Sequence, residues 1–321
     1  MMATMSPAPS SKGPLHIREG FFRDLVHIHL PWTAQVLKAV EATLEAAALS
    51  GEGGIIVIVG PPGSGKSHLT RQCLAHVQQI WTPGEFDRFD VEIDAESCGT
   101  RKDFAAAVVM GLHEATTSTA LANGTGKDFS RFLLANARPM GLRVVASHEA
   151  HNLQLHGRLH TGVELAAHIK NMTNNGVSYI FNGLPILEKA IASHEELQSR
   201  LGANVFRIPT LNPTNPQDIN TLRGLFGELA KALPVSFVPG LGSKRVLMSM
   251  ALASEGVLRP MMKLLLYTVN DALKSGTAVV TLADFQRASA VLFGEAKAKG
   301  LFTGDKAAEE ALYARFKQSN G

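Results

Sequence analysis

The chain has 321 residues, 45% of them apolar and 18% charged, with a formal net charge of +3. That length implies about two domains and a sizeable core, while the small net charge neither argues for nor excludes nucleic acid, whose footprint is a local patch. No apolar run approaches the roughly 18 residues of a membrane span, and two cysteines, Cys73 and Cys98, make neither a disulfide framework nor a metal spacing, so the reading is a soluble, cytoplasmic protein.

Residues 1–18 read as a flexible tail: Met1 to Gly13 is rich in Pro, Ala and Ser and lacks the apolar stretch of a signal peptide. From Glu19 to Leu49 apolar residues recur at helical spacing, broken by Leu30-Pro31-Trp32 into two pieces. Ile55-Ile56-Val57-Ile58-Val59 is a buried strand. It runs into Gly60-Pro61-Pro62-Gly63-Ser64-Gly65-Lys66-Ser67, after which His68 to Leu74 reads as the first turns of a helix. This is G-x-x-x-x-G-K-[ST] between a strand and a helix, the setting in which the pattern binds phosphates. The glycines let backbone N–H groups wrap a phosphate chain, and the helix N-terminus adds a positive dipole end. Lys66 would reach the β- and γ-phosphates, and Ser67 would offer a hydroxyl to Mg²⁺.

Phe89 to Asp94 alternates apolar and acidic residues as a second strand. Helices follow at Lys102–Leu112 and Phe129–Ala137, separated by the polar turn Ala122 to Gly126. Leu142 to Ala146 is a third strand, Val163–Met172 a helix, Val177 to Phe181 a fourth strand and Val205 to Ile208 a fifth. Strands alternating with helices predict a five-stranded parallel sheet covered on both faces. After Leu211 only helices are predicted: Gln217–Leu233, Lys244–Ser254, Arg259–Lys274 and Leu282–Phe293. The cluster Asn212 to Pro216 is the hinge. The expected division is a core over 19–211, an all-helical lid over 212–295 and a helical tail over 296–321.

With these pieces in order, the chain resembles an AAA+ ATPase, and more narrowly the TnsC/TniB/MuB-like ATP-binding subunits of bacterial DNA transposition systems. The resemblance runs from about residue 20 to 295. It is carried by Leu30-Pro31-Trp32, the P-loop, Cys98-Gly99-Thr100-Arg101-Lys102, His148-Glu149-Ala150-His151-Asn152-Leu153, Phe181-Asn182-Gly183, Gln198-Ser199-Arg200-Leu201 and Glu255-Gly256-Val257-Leu258-Arg259.

The resemblance implies roles. Gly60 to His68 would hold ATP, with Mg²⁺ on Ser67. Glu149 would polarise the lytic water, and Asn182 would sense the γ-phosphate or that water, although an Asn-Gly pair is also a turn signal. Arg200 would be the arginine finger reaching the next subunit's ATP, the alternative being a surface arginine. Arg259 would be a second sensor. Arg101, Lys102, Thr125 and Lys127 would contact DNA phosphates without reading sequence; apart from the resemblance, this stretch reads as a solvated face. One departure stands out: the family's acidic pair after the third strand is His148-Glu149 here. Nucleotide binding is expected to survive this, the rate of hydrolysis is put in question, and His148→Asp is expected to restore the missing charge.

The implied function is an ATP-dependent DNA-binding regulator of transposition in the bacterial cytoplasm, without a membrane partner. It would form a ring (hexamer or heptamer) or a helical filament on duplex DNA, joining a TniQ/TnsD-like target selector to a transposase. The rival readings are an AAA+ motor or loader acting on a protein or replication substrate, and an ATP-binding scaffold with little turnover.

Overall fold

A computed structural model describes residues 30–80, 90–115, 126–153, 155, 160–303, 310–311 and 313–314. The expected tail over 1–18, the first helical piece, most of the polar turn before Gly126 and most of the C-terminal tail lie outside the described residues. The chain divides into two compact units, one built on His29–Thr210 with Val257–Arg259, the other on Leu211–Gly256 and the chain from Pro260 onward.

The first unit is a parallel sheet between two layers of helix. Its elements are α1 (Thr33–Ser50), β1 (Ile55–Val59), α2 (Lys66–Ile80), β2 (Asp90–Asp94), α3 (Arg101–Ala115), α4 (Gly126–Asn136), β3 (Val144–His148), α5 (His160–Asn174), β4 (Ser178–Gly183), α6 (Ile186–Ala192), α7 (Glu195–Leu201) and β5 (Val205–Arg207). The strand order is β2-β3-β4-β1-β5, every pair parallel. This is the α/β, five-stranded P-loop architecture that the alternation of strands and helices predicts.

Every residue of β1 is buried, because helices cover both faces of the sheet. Ile55, Val57 and Val59 face one layer with Tyr179 and Phe181, against Phe104, Val108, Ile169 and Leu197. Ile56 and Ile58 face the other, against Val36 and Val40 of α1 and Leu69, Cys73 and Val77 of α2. The period of two along the strand therefore sorts its side chains into two cores.

Gly53 fixes the entry to β1. Its N–H donates to the Thr173 carbonyl at 2.7 Å, and a Cβ there would lie 2.1 Å from the Val177 carbonyl oxygen. Backbone on both sides leaves nothing flexible to yield. Gly53→Ala is expected to destabilise the protein by about 3 kcal/mol in urea unfolding; a loss below roughly 0.5 kcal/mol, the range of ordinary surface changes, would show that the α1–β1 connection moves freely.

The second unit holds α8 (Pro216–Ala232), β6 (Ser236–Val238), α9 (Lys244–Ala253), α10 (Leu258–Lys274, whose first two residues count with the other unit), β7 (Val279–Thr281), α11 (Leu282–Phe293) and α12 (Glu295–Ala298). Asn215 caps α8, with Pro216 in its first turn. Phe285 stacks between Phe237 and Phe302, with centroid distances of 6.3 and 5.3 Å. The expectation of helices alone is corrected here: Ser236–Val238 pairs in parallel with Val279–Thr281. Strands of three residues carry too few alternations to stand out in a sequence, and their partners lie over 40 residues apart. Among the described residues, no helix is long and apolar enough to cross a membrane.

Candidate functional site

β1 ends at Val59 and α2 starts at Lys66, so Gly60, Pro61, Pro62, Gly63, Ser64 and Gly65 make the whole connection. Gly63 and Gly65 have φ of 77° and 100°. At Gly63 a Cβ would also meet the Arg259 Cβ at 2.9 Å, so glycine is required both by backbone and by space. Lys66 Nζ donates to the carbonyls of Gly60 (3.0 Å) and Pro61 (2.9 Å). Its ammonium is thus folded over the loop. Burial pulls the Lys66 pKa below the usual lysine range, the Glu149 charge opposes that shift, and the Arg259 charge adds to it. Ser64 Oγ is buried with no partner among the described residues. Ser67 and His68 complete the first helical turn, whose N–H groups have no intrahelical acceptors; burial holds the His68 pKa low, with the Arg71 charge contributing. An ammonium resting on weak neutral acceptors, a buried hydroxyl with no described partner and a loop that requires glycine at position 63 fit a phosphate chain; Ser67, in the first turn of α2, is the residue that could offer a hydroxyl to Mg²⁺.

Glu149 follows the last residue of β3 and takes a left-handed backbone, φ 48° and ψ 35°, at the start of the 3₁₀ turn Ala150–Asn152. A non-glycine residue pays roughly 1 kcal/mol for that conformation. Its carboxylate lies 3.5 Å from His151 Nδ1 and acts electrostatically on Lys66. Arg259, at the start of α10, donates its backbone N–H to the Gly63 carbonyl at 3.0 Å. The structure therefore brings the P-loop, Glu149 and Arg259 together.

Asn182 sits in β4, beside Ile58 of β1 in register, and is fully buried. Its amide nitrogen is 2.7 Å from Thr70 Oγ1 and 2.8 Å from His148 Nδ1. His148 Nε2 in turn bonds Glu92 Oε1, and Arg71 Nε donates to the same oxygen at 3.1 Å. The His148 hydrogen bond, joined by the Arg71 charge, holds the Glu92 carboxyl below its usual range against the opposing effect of burial. Glu92 and Thr70 were not expected at the site. Strand parity could have placed Glu92, since Glu92, His148 and Asn182 share the α2 face of the sheet, but only once the strand registers are known. This pairing removes the premise of the His148→Asp expectation. A carboxylate is already present beside position 148, and an aspartate there would set a second negative charge against it.

Arg200 is not at this chain's own P-loop. It lies before β5, bonded to Glu52 and, at 2.6 Å, to Asn174 Oδ1, at the opposite end of the strands. At α3 a capping box between Thr100 and Asp103 fixes the helix start. Lys102 is exposed there. Arg101 turns inward, with Nη2 3.8 Å from Glu164 and Nε buried with no partner among the described residues, and lines a cavity of about 420 Å³ between α3, α4 and α5. Lys127 is in the first turn of α4, while Thr125 lies outside the described residues. The structure does not gather these four into one described patch.

A family model described as an AAA domain matches residues 49–191. No curated protein matches the chain. Among solved structures the chain is similar to Cdc6p from Pyrobaculum aerophilum, with 15% identity over 87% of this chain and 72% of that one and a TM-score of 0.63. It is also similar to the ORC1 protein of Aeropyrum pernix in complex with DNA (19%, 84% and 67%, TM-score 0.61) and to a RuvB mutant of Thermotoga maritima (15%, 84% and 74%, TM-score 0.52). At these identities the likeness is one of fold. Fold, loop and matched domain agree: the chain has an α/β P-loop core of the AAA+ kind, and its residues 49–191 match an AAA domain.

Proposed function

We propose that the chain is an ATP-dependent DNA-binding AAA+ regulator of DNA transposition. The observation that carries the nucleotide reading is the Lys66 ammonium held over a glycine-lined loop with Glu149 and Arg259 acting on it. The transposition reading rests on the TnsC/TniB/MuB-like motifs and their order along the chain. The two compact units support a division into a nucleotide-binding core, 19–211, and a lid, 212–295.

ATP with Mg²⁺ supplies the phosphoanhydride to be cleaved and a metal that offsets phosphate charge. Lys66 and the loop N–H groups bind the phosphates, and Ser67 holds the metal. Glu149 accepts a proton from the lytic water at its carboxylate. Asn182 orients the reacting end, and Arg259 adds its charge beside Lys66 at the loop. Arg200 serves a neighbouring subunit, exchanging Glu52 and Asn174 for that subunit's phosphate. Arg101, Lys102, Thr125 and Lys127 contact the DNA backbone inside a ring or filament that joins a TniQ/TnsD-like selector to a transposase.

Electron microscopy with duplex DNA tests this reading. A DNA-wrapped ring or filament is expected with a non-hydrolysable ATP analogue and not without nucleotide. A second reading, an AAA+ loader of replication, is supported by the likeness to Cdc6p and ORC1; ATPase activity stimulated by DNA with no protein substrate present favours the first.

The DNA face has its own test. Arg101→Gln combined with Lys102→Glu is expected to weaken binding equally for unrelated duplexes. It should also flatten the logarithmic salt dependence by roughly one unit for each phosphate that these side chains neutralise. Unchanged affinity and slope would place the DNA elsewhere on the protein.

A further inference from the structure

Position 148 is where this chain departs from the family pattern, and one assignment keeps every surrounding hydrogen bond. An amide nitrogen only donates. Asn182 Nδ2 faces Thr70 Oγ1 and His148 Nδ1, so each of its two hydrogens has an acceptor. Turning the amide over would set Oδ1 against the Thr70 hydroxyl, which could donate to it only by giving up its bond to the Lys66 carbonyl at 3.1 Å. His148 Nδ1 is therefore an acceptor and carries no proton. The imidazole proton is on Nε2, where Glu92 accepts it.

The links form one chain: Glu92 accepts from His148, His148 accepts from Asn182, Asn182 donates to Thr70, and Thr70 donates to the carbonyl of Lys66. It begins on β2, crosses β3 and β4, and ends in the first turn of the P-loop helix. His148, Asn182 and Thr70 are all buried. Asn182 Oδ1 is buried too and has no partner among the described residues. Thr70 and His148 are the two described groups that hold the amide as it is turned, and the histidine is in turn held by the glutamate.

We propose that Glu92 is a positioning residue of the nucleotide site, which holds His148 in the Nε2–H form and through it fixes the Asn182 amide against the P-loop helix. A neutral imidazole donates at one nitrogen and accepts at the other, and its hydrogen-bond partners select which nitrogen carries the proton. Glu92 is the partner at Nε2. The negative charge that the family pattern places at residue 148 is thereby kept, one strand away. With both amide hydrogens committed, Asn182 has no N–H for a phosphate and offers only its oxygen, as an acceptor. The site then reads the lytic water at Asn182, and leaves phosphate binding to Lys66 and the loop.

This inference rests on the ATPase reading, and the test separates the two. The first readout needs no nucleotide: ¹⁵N NMR of histidine-labelled protein is expected to show His148 protonated at Nε2 and bare at Nδ1. In Glu92→Leu that preference should be lost. In Glu92→Gln, whose amide oxygen still accepts from Nε2–H, it should persist. The second readout is single-turnover hydrolysis. Glu92→Leu is expected to slow it by about 10- to 100-fold, the usual cost of losing a group that orients a site residue. ATP affinity should change by no more than about threefold, because phosphate binding does not pass through Asn182. Glu92→Gln should stay within about threefold of wild type on the same basis. A proton on Nδ1 in the wild type overturns the proposal. So does a Glu92→Leu variant with unchanged tautomer and rate, or a Glu92→Gln variant as slow as Glu92→Leu, which would assign the effect to charge alone. Wild-type protein that neither binds nor hydrolyses ATP refutes the ATPase reading instead, and the NMR result still decides the hydrogen-bond chain.

Discussion

Lys66→Ala is expected to lose ATP affinity by roughly 30- to 150-fold, the 2–3 kcal/mol of a charged hydrogen bond. The side chain is buried and its Nζ is satisfied by two carbonyls of its own loop. Those carbonyls are neutral acceptors, and a phosphate oxygen is charged, so exchanging one for the other favours the nucleotide. Removing the ammonium takes away that gain and also leaves the Gly60 and Pro61 carbonyls without their donor. Binding of a fluorescent ATP analogue measures the loss. Assembly on DNA should fall with it, since the proposal couples oligomer to nucleotide. A variant that binds ATP as wild type does would show that the phosphates lie elsewhere, and one that assembles normally without binding would break the coupling.

The second large effect is on chemistry rather than binding. Glu149→Gln is expected to lower single-turnover hydrolysis by about 10²- to 10⁴-fold, the usual contribution of a positioned general base. Glutamine matches the glutamate in size and can hold the same backbone, so the P-loop should keep its shape and ATP affinity should stay near wild type. Loss of the negative charge beside Lys66 removes the influence that now raises that lysine's pKa. The DNA-bound assembly should live longer in the variant, because the step that dissolves it is slowed. Hydrolysis within a few-fold of wild type would mean that another group activates the water.

The P-loop, the alternation of strands and helices and the placing of Glu149 after β3 were all legible in the sequence. They depend on local spacing: a strand, a glycine turn and a helix start lie within 20 residues. The partners of His148 were not, because they depend on the registers of separate strands. Glu92 is 56 residues from His148, and Asn182 is 112 residues from Thr70. The same holds for Arg200, whose carboxylate partner Glu52 is 148 residues away. Its helix could be read as carrying an arginine, but nothing local says that the guanidinium is tied to Asn174 and Glu52 in the single chain. Arg101 shows a further limit. A basic pair at a helix start reads as two exposed charges, yet one turns into a cavity beside Glu164 and the other stays outside. The short strands of the second unit escaped for the opposite reason, having too few residues to set a period.

The place of β1 between two later strands also bears on how the chain is made. Its partners in the sheet are β4, where Ile55 lies beside Tyr179, and β5, where Val57 lies beside Val205. A ribosome adding about 5–20 residues per second would take on the order of 6 to 25 s to reach the first of them. For that time Ile-Ile-Val-Ile-Val, fully buried in the finished sheet, emerges with neither neighbour to cover its edges. A short β-branched run with no charge and no proline is the kind of segment that pairs with another copy of itself. Slower translation lengthens this interval, and a chaperone that holds short apolar segments until residue 183 has emerged shortens the exposure. The topology that places the strand of the phosphate loop between β4 and β5 thus makes the most apolar strand the first to appear and among the last to be paired.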